Sequence, residues 1–233
     1  MMRAEDRQKV RDLRLFRDID DAAFNALLAG SYLQRFPTHV VLIREGDPAD
    51  FLHVVIGGAV ELFSGWNGSE STMDIVRPVS TFILAAVIKD APYLMSARTI
   101  EASDILMIPS SNLRAGIAND RTLSLAMVTE LAGCFRAVVK SNKNLKLRSA
   151  VERLANYLLR LDADNGGAGR AELPIEKRVL ASLLGMTPEN LSRAFATLKP
   201  YGVSVAGAAI ELTKIEDLKR LAKPTPLVDD PAA

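Results

Sequence analysis

Residues 180–193, with the sequence LASLLGMTPENLSR, constrain the fold of this chain most strongly, because their spacing predicts two helices joined by a tight turn. Ala181 is small enough to let two crossing helices approach closely. Gly185, four residues later, can adopt the positive φ that such a turn needs. Thr187 suits the N-cap of the second helix, and Pro188 suits its first position. The combination is typical of a helix-turn-helix.

The predicted second helix has polar side chains on one face, close to its N-terminus. This is the part of a recognition helix that meets base edges in the major groove of DNA. The residues predicted to contact DNA are Thr187, Glu189, Asn190, Ser192 and Arg193. Simpler roles exist for two of them: Arg193 as a phosphate contact or surface ion pair, and Glu189 as a favourable charge at a helix N-terminus.

Positive charge in this chain is local. The formal net charge of the 233 residues is +1, so no overall field attracts nucleic acid. Basic residues gather between positions 140 and 153, where Glu152 alone opposes them. They are Lys140, Lys143, Lys146, Arg148 and Arg153. Together with Lys199 and Lys214 they are candidates for phosphate contacts, and the alternative is a solvated helix surface.

Cysteine and histidine, two residue types that often bind metals or act in catalysis, are scarce in this chain. With one cysteine, Cys134, the chain can form neither an internal disulfide nor a cysteine-ligated iron–sulfur cluster. The two histidines are His39 and His53, and no paired carboxylates, metal-ligand cluster or nucleophile motif stands out. We therefore expect no catalytic residues, no metal site and no enzymatic activity.

Signals for export or membrane insertion are also missing from the sequence. No signal-peptide pattern opens the chain, and no apolar run approaches the length of a membrane span. The sequence therefore predicts a reduced, cytoplasmic protein without a membrane partner.

Between residues 33 and 109, short β-rich segments alternate with turn residues. The Asn67-Gly68 pair adds a hairpin signal. Strands at this spacing favour a compact antiparallel barrel or roll. Residues 5–30 have a helical pattern around a break at Asp18–Asp21, and a long helix without proline is predicted at about 122–145.

The C-terminal part is predicted to combine helices with a small hairpin, so that the fold class is α+β. A helix at about 148–161 precedes the helix-turn-helix, a hairpin or wing covers 202–212, and a last helix covers about 215–221. The acidic, proline-containing segment 225–233 is predicted to be a frayed tail. The predicted domains are a β-roll sensor (1–120), a dimerisation helix (121–146) and a winged-helix DNA-binding domain (147–233).

The long helix carries apolar residues at alternating spacings of four and three, which is typical of a coiled-coil seam. The predicted dimer seam is Met127, Leu131, Cys134 and Val138. We favour dimerisation because helix-turn-helix proteins usually pair to bind two half-sites. The alternative is that this helix buries one stripe against its own β-roll. Cys134 is then either a small buried hydrophobe or the site of an intersubunit disulfide.

The chain resembles the CRP/FNR superfamily of bacterial transcription regulators from about Phe16 to Leu221. The resemblance rests on the glycine pattern of the roll (Glu45-Gly46 and Gly57), the long helix, and the helix-turn-helix with its wing. Within the superfamily, the chain is most similar to the branch that regulates dissimilatory nitrate respiration. The segments that carry this likeness are 81–92, 147–159 and 187–193.

The resemblance implies a fold, partners and a DNA site. The fold is an N-terminal β-roll of the cyclic-nucleotide-binding type, a dimerisation helix and a C-terminal winged helix. The partners are a second copy of the chain, double-stranded promoter DNA and RNA polymerase. Glu189, Ser192 and Arg193 match the Glu-x-x-Ser-Arg pattern of FNR-like branches, which implies a palindrome with TTGAT-like half-sites.

The ligand pocket departs from that of the cyclic-AMP receptors in this family. Their Gly-Glu and Arg-Ser pairs align here with Phe82-Ile83 and Tyr93-Leu94. A phosphate diester in an apolar pocket without a cationic partner is costly to desolvate, so cyclic AMP is not the expected effector. Phe82, Ile83, Tyr93 and Leu94 are instead candidates for an effector pocket, and the alternative is that they belong to the β-roll core.

Other members of the family sense gases or redox signals through cofactors. Haem is one of these, and His39 or His53 is a candidate axial ligand. The alternative for both is a hydrogen-bonded structural histidine. The predicted function is therefore a dimeric regulator controlled by a small-molecule, gas or redox signal. A constitutive DNA-binding regulator with a ligand-free roll is the second hypothesis.

Overall fold

The Asn67-Gly68 turn forms as predicted. Asn67 and Gly68 have positive φ values of 50° and 78°, the backbone that a two-residue hairpin turn requires. The turn joins β4 (Val60–Trp66) to β5 (Ser69–Val76) in an antiparallel pair. The last residue of β4, Trp66, is 81% exposed.

The predicted β-roll is confirmed in the computed structural model, which describes residues 3–230. Its remaining strands are β1 (Tyr32–Phe36), β2 (Val41–Ile43), β3 (Phe51–Gly57), β6 (Ser80–Phe82), β7 (Ser96–Thr99) and β8 (Ser103–Pro109). The strands form two antiparallel sheets with the orders β1-β8-β3-β6 and β2-β7-β4-β5. Leu52, Val54 and Leu106 are fully buried in the core of the roll.

Short helices flank the roll. They are α1 (Ala4–Arg11), α2 (Asp21–Leu27), α3 (Leu84–Lys89) and α4 (Ser110–Asn119). The helical region predicted at 5–30 is thus two helices, because the Asp20 side chain accepts a hydrogen bond from the amide of Ala23 and starts α2 afresh.

The long helix α5 (Arg121–Leu147) extends slightly beyond its predicted bounds. The chain divides into two compact units after Cys134, within this helix. The sequence analysis predicted a separate dimerisation segment at 121–146. In the structure, residues 121–134 of that segment belong to the first unit and residues 135–146 to the second. The first half of α5 belongs with the roll, where Leu123 and Met127 are buried in its core.

In one respect α5 corrects the sequence analysis. Within residues 3–230 it is the one helix that is long and apolar enough to cross a membrane by length and composition. The expectation that no apolar run approaches that length was therefore wrong. Alanine, valine and leucine fill 11 of its 27 positions, and Glu130 and Arg136 are the charged residues between Arg121 and Lys140. A single helix of this kind is weak evidence for a membrane.

The second unit is a winged helix. Its elements are α6 (Ala150–Asp164), β9 (Arg170–Glu172), α7 (Lys177–Leu183), α8 (Pro188–Leu198), β10 (Val203–Ala206), β11 (Ala209–Leu212), α9 (Ile215–Ala222) and α10 (Pro226–Asp229). β10, β11 and β9 form an antiparallel sheet in that order, which includes the predicted wing. A capping box of Ser149 and Glu152 starts α6.

The segment predicted to be a frayed tail is ordered up to Asp230. Residues 226–229 form α10, and Asp229 accepts two hydrogen bonds of 2.6 Å from the guanidinium of Arg148. Asp229 also accepts a hydrogen bond from the amide of Thr225, and Lys140 donates one to the carbonyl of Asp230. These long-range contacts order a segment whose acidic, proline-containing composition had predicted a frayed tail. Residues 231–233 of that expectation lie outside the described part of the chain.

Candidate functional site

The turn between α7 and α8 forms as the sequence predicts. Gly185 has a φ of 63°, and its amide donates to the carbonyl of Ser182. Ala181 is fully buried where the two helices pack. Thr187 accepts a hydrogen bond from the amide of Asn190, and Pro188 is the first residue of α8. These local interactions fix where α8 begins and how it leaves the turn.

The two faces of α8 differ sharply. Leu191, Ala194, Phe195 and Leu198 are buried in the core of the second unit. All five predicted DNA contacts are exposed: Thr187, Glu189, Asn190, Ser192 and Arg193. Four of them lie within the first two turns of the helix, where a recognition helix presents side chains to base edges.

The carboxylate of Glu189 is held in its charged form. Its own backbone amide, and then the hydroxyl of Thr187, lower the pKa of this fully exposed side chain. A charged carboxylate only accepts hydrogen bonds. Glu189 therefore offers an acceptor next to the donors of Arg193 and Asn190, so that both kinds of base-edge group can be contacted on one face.

Several of the basic residues near α6 make contacts within the chain. The side chain of Arg148 is only 10% exposed and pairs with Asp229. Arg153 donates to backbone carbonyls. Lys199 is exposed at the end of α8, whereas Lys214 donates to the carbonyl of Pro200. Four of the predicted phosphate contacts, Lys140, Arg148, Arg153 and Lys214, thus have hydrogen-bond partners within the chain.

The predicted effector residues in the roll do not converge on one pocket. Phe82 and Tyr93 are buried, and the Tyr93 hydroxyl donates to the carbonyl of Phe51. Leu94, next to Tyr93, is 81% exposed. Ile83 has a left-handed backbone with a φ of 58° and precedes α3. Phe82 and Tyr93 therefore take the place in the core that the sequence analysis gave as the alternative.

His53 completes a buried aromatic cluster with Phe82 and Tyr93. Its ring stacks on Phe82 with the centroids 5.2 Å apart, and it meets the Tyr93 ring edge to face with the centroids 6.4 Å apart. His53 is 5% exposed, and its Nδ1 atom has no hydrogen-bond partner in the described structure. An axial haem ligand needs open space over its free nitrogen. The covered ring of His53 does not fit that role, and His39 lies exposed in the β1–β2 turn.

The buried imidazole predicts acid sensitivity of the roll. Burial lowers the pKa of His53 to about 4, whereas an unfolded histidine titrates near 6.5. The unfolded state therefore takes up a proton first. The free energy of unfolding is therefore highest above about pH 6.5. It falls by about 3 kcal/mol as the pH drops from 6.5 towards 4. Chemical denaturation at a series of pH values will show the loss.

Two variants identify His53 as the source of that loss. His53→Leu should flatten the difference in unfolding free energy between pH 6.5 and 4. His39→Asn is the matched control, since asparagine tolerates the positive φ of 64° at this position. It should retain the wild-type slope. An unchanged slope in His53→Leu would show that other groups cause the acid sensitivity.

A charged network on the roll was missed by the sequence analysis. The guanidinium of Arg98 pairs with the buried Glu61 at 2.7 Å and with Glu70 at 2.8 Å, and it lies 4.1 Å from the ring centre of Phe63. Thr72 donates to the other oxygen of Glu61. Only the strand register, which places Glu61 opposite Arg98, brings these residues together. Within residues 3–230, no group of three or more His, Cys, Asp or Glu side chains could hold a metal ion.

The predicted dimer seam is split between core and surface. Met127 is 2% exposed in the core of the roll, and Leu131 packs against that core. Cys134 is exposed. The protein atoms around its thiol nevertheless shield the sulfur partly from water, and this desolvation raises the pKa of the thiol. Val138 is 64% exposed. Other apolar side chains on α5 are exposed too: Leu125, Val128, Phe135, Val139, Leu145 and Leu147.

Comparison with known proteins agrees with both units. The family described as cyclic nucleotide-binding domain matches residues 33–120, and the Crp-like helix-turn-helix domain matches residues 152–221. The chain is 25% identical over 215 residues to the CRP-like cAMP-activated global transcriptional regulator of Mycobacterium tuberculosis. The alignment covers 90% of this chain and 96% of that relative.

Solved structures show the same architecture. A regulatory protein from Silicibacter pomeroyi DSS-3 is 28% identical, with a TM-score of 0.62, over 95% of this chain and 100% of that one. FixK2 from Bradyrhizobium japonicum shares the fold at 23% identity, with a TM-score of 0.72 over 84% of this chain and 98% of its own. The two matched domains together span more than half of the sequence. The chain belongs to the CRP/FNR superfamily of transcription regulators, which are DNA-binding proteins and not enzymes.

Proposed function

We propose that this protein is a homodimeric, cytoplasmic regulator that binds a palindrome in promoter DNA through α8. The observation that carries the proposal is the two-sided character of that helix, with its apolar face buried and Glu189, Asn190, Ser192 and Arg193 exposed together. Arginine can donate twice to guanine, and glutamate can accept from cytosine. The Glu-x-x-Ser-Arg pattern favours TTGAT-like half-sites, and RNA polymerase is the expected partner at the promoter.

The experiment that tests this proposal is a selection of random duplexes with the wild-type protein at fixed salt. The expected product is an inverted repeat whose half-sites contain TTGAT-like sequences. Half-sites of another sequence would overturn the assignment of bases to α8. The protein would still be a regulator that binds a palindrome. A selection that enriches no sequence would overturn the proposed function itself.

The second half of α5 supports the dimer. Phe135 is 70% exposed, Val138 64% and Val139 41%, so residues 3–230 leave apolar side chains uncovered on the second half of this helix. An a/d seam through these positions would bury them against a second copy. Compared with the predicted seam, the proposed contact keeps Cys134 and Val138 and adds Phe135, whereas Met127 and Leu131 pack with the roll.

A Phe135→Asp variant is expected to dissociate the dimer. Burying a phenylalanine contributes about 1.5–3 kcal/mol, and a symmetric dimer loses two of them, so the dimer Kd should rise at least 100-fold. Sedimentation equilibrium measures this change. Trp66→Asp, which places the same charge at another exposed aromatic position, is the control and should remain dimeric. A dimeric Phe135→Asp protein would show that the interface lies elsewhere.

We also propose that the signal is a small molecule, gas or redox change other than cyclic AMP. Phe82 and Tyr93 fill positions aligned with nucleotide-binding pairs, and the guanidinium of Arg98 on β7 is paired with the carboxylates of Glu61 and Glu70. Calorimetric titration with cyclic AMP should therefore show no binding at micromolar concentration, and micromolar binding would refute this part. DNA binding that never responds to oxygen, nitric oxide or metabolites would favour the constitutive alternative.

A further inference from the structure

One guanidinium on α6 connects the end of α5 to the helix-turn-helix. Arg153 donates through Nε to the carbonyl of Leu184 at 2.7 Å and through Nη2 to that of Gly185 at 3.2 Å. Through Nη1 it donates to the carbonyl of Arg148 at 2.7 Å, with a longer contact to Leu145. Leu184 and Gly185 belong to the turn before α8, whereas Leu145 and Arg148 end α5 and lead into α6.

All these acceptors are carbonyls near the C-terminal ends of helices. Such carbonyls have no partner within their helix and carry the negative end of its dipole. Arginine suits them because it presents five donors in a rigid plane. Burial lowers the pKa of Arg153, and no carboxylate of residues 3–230 lies within ion-pair distance of it. Its N–H groups therefore bind backbone carbonyls and hold these segments in a fixed geometry.

A second contact holds the same two parts of the chain together. A side-chain carbon built on Gly185 would lie 2.7 Å from Cδ2 of Leu145, and the glycine also has a φ of 63°. The end of α5 therefore packs directly on the turn of the helix-turn-helix, and a side chain at position 185 would displace the end of Leu145. Leu145 is 45% exposed, so this packing adds little to the core of the unit.

We infer that Arg153 is a positioning residue that sets which spacing between half-sites the dimer accepts. The inference rests on the proposed function, in which two copies of α8 bind two half-sites. Those half-sites lie one helical turn of DNA apart, about 34–36 Å. A small rotation at the joint between α5 and the turn moves α8 relative to the dimer axis. A fixed joint therefore admits one spacing, and a loose joint admits several.

The test compares operators of different spacing. The probe is the tightest palindrome recovered by the wild-type selection, made with the original spacing, with one base pair removed or added, and as an isolated half-site. Wild-type protein should prefer the original spacing at least 10-fold. Arg153→Lys, which keeps the charge but loses the fork, should reduce that preference to about 2-fold and leave half-site affinity unchanged. Arg160→Lys, an exposed arginine on the same helix, should behave as wild type.

A purely structural role for Arg153 predicts a different result. In that case Arg153→Lys would weaken all operators and the half-site equally, and the inference would be overturned. An unchanged spacing profile would overturn it as well. Leu145→Ala loosens the same joint from the α5 side and should flatten the spacing preference even if Arg153→Lys folds poorly; a wild-type profile in Leu145→Ala counts against the inference. Failure of the wild-type protein to select any palindrome would instead refute the proposed function.

Discussion

An Arg193→Ala variant is expected to lose most of its discrimination between the palindrome and a non-specific duplex. The side chain is exposed on the polar face of α8, beside Ser192 and on the same side as Glu189. A good base contact contributes about 1–3 kcal/mol, so each half-site should lose roughly 5- to 150-fold in specificity. Fluorescence anisotropy with both duplexes at one salt concentration gives the ratio directly.

A matched variant separates base contact from charge. Arg178→Ala removes the same charge from an exposed position on α7. If Arg178 is near a phosphate, its loss should weaken specific and non-specific binding alike and leave their ratio unchanged. Equal losses in the two variants would mean that Arg193 contacts phosphate and that the base assignment is wrong.

Gly58→Ala is expected to be the most destabilising single-methyl change in the roll. Gly58 has a φ of 83°, and a side-chain carbon there would lie 2.5 Å from the carbonyl oxygen of Ala102 and still closer to the hydroxyl of Ser103. The left-handed backbone costs about 1–2 kcal/mol for an alanine, and overpacking adds about 1–3 kcal/mol. We expect a loss of about 4 kcal/mol for the first unit in calorimetry.

Gly68→Ala isolates the backbone part of that loss. Gly68 has a similar φ of 78°, but no atom lies within 4 Å of its would-be side chain. This variant should lose only about 1–2 kcal/mol. The difference between the two variants then measures how tightly the β3–β4 turn packs on the chain at Ala102 and Ser103. Equal losses would mean that the backbone at 102–103 moves away at little cost.

The helix-turn-helix was predictable because its signals are local. Gly185, Thr187 and Pro188 each act on their immediate neighbours, and the structure places them in the predicted turn, cap and first helical position. The same holds for the Asn67-Gly68 hairpin. Whether the exposed residues of α8 contact bases stays a prediction, since exposure alone does not identify what they bind.

Contacts between distant residues were not predictable in this way. Asp229 looked like part of an acidic tail until its pairing with Arg148, 81 positions earlier, ordered the segment. Arg153 looked like a phosphate contact because the sequence shows its charge but not the carbonyls around it. Met127 looked like a seam residue because a long helix carries several apolar stripes, and periodicity does not say which stripe the β-roll covers.

The exposed hairpin tip has a consequence for spectroscopy. Trp66 is the sole tryptophan of the chain, and 81% of it is exposed at the end of β4. Its indole is therefore in water before either core unfolds, so its emission stays close to that of a solvated indole through both transitions. Intrinsic tryptophan fluorescence is therefore expected to change when a molecule binds at this hairpin. It is expected to change little when either unit unfolds.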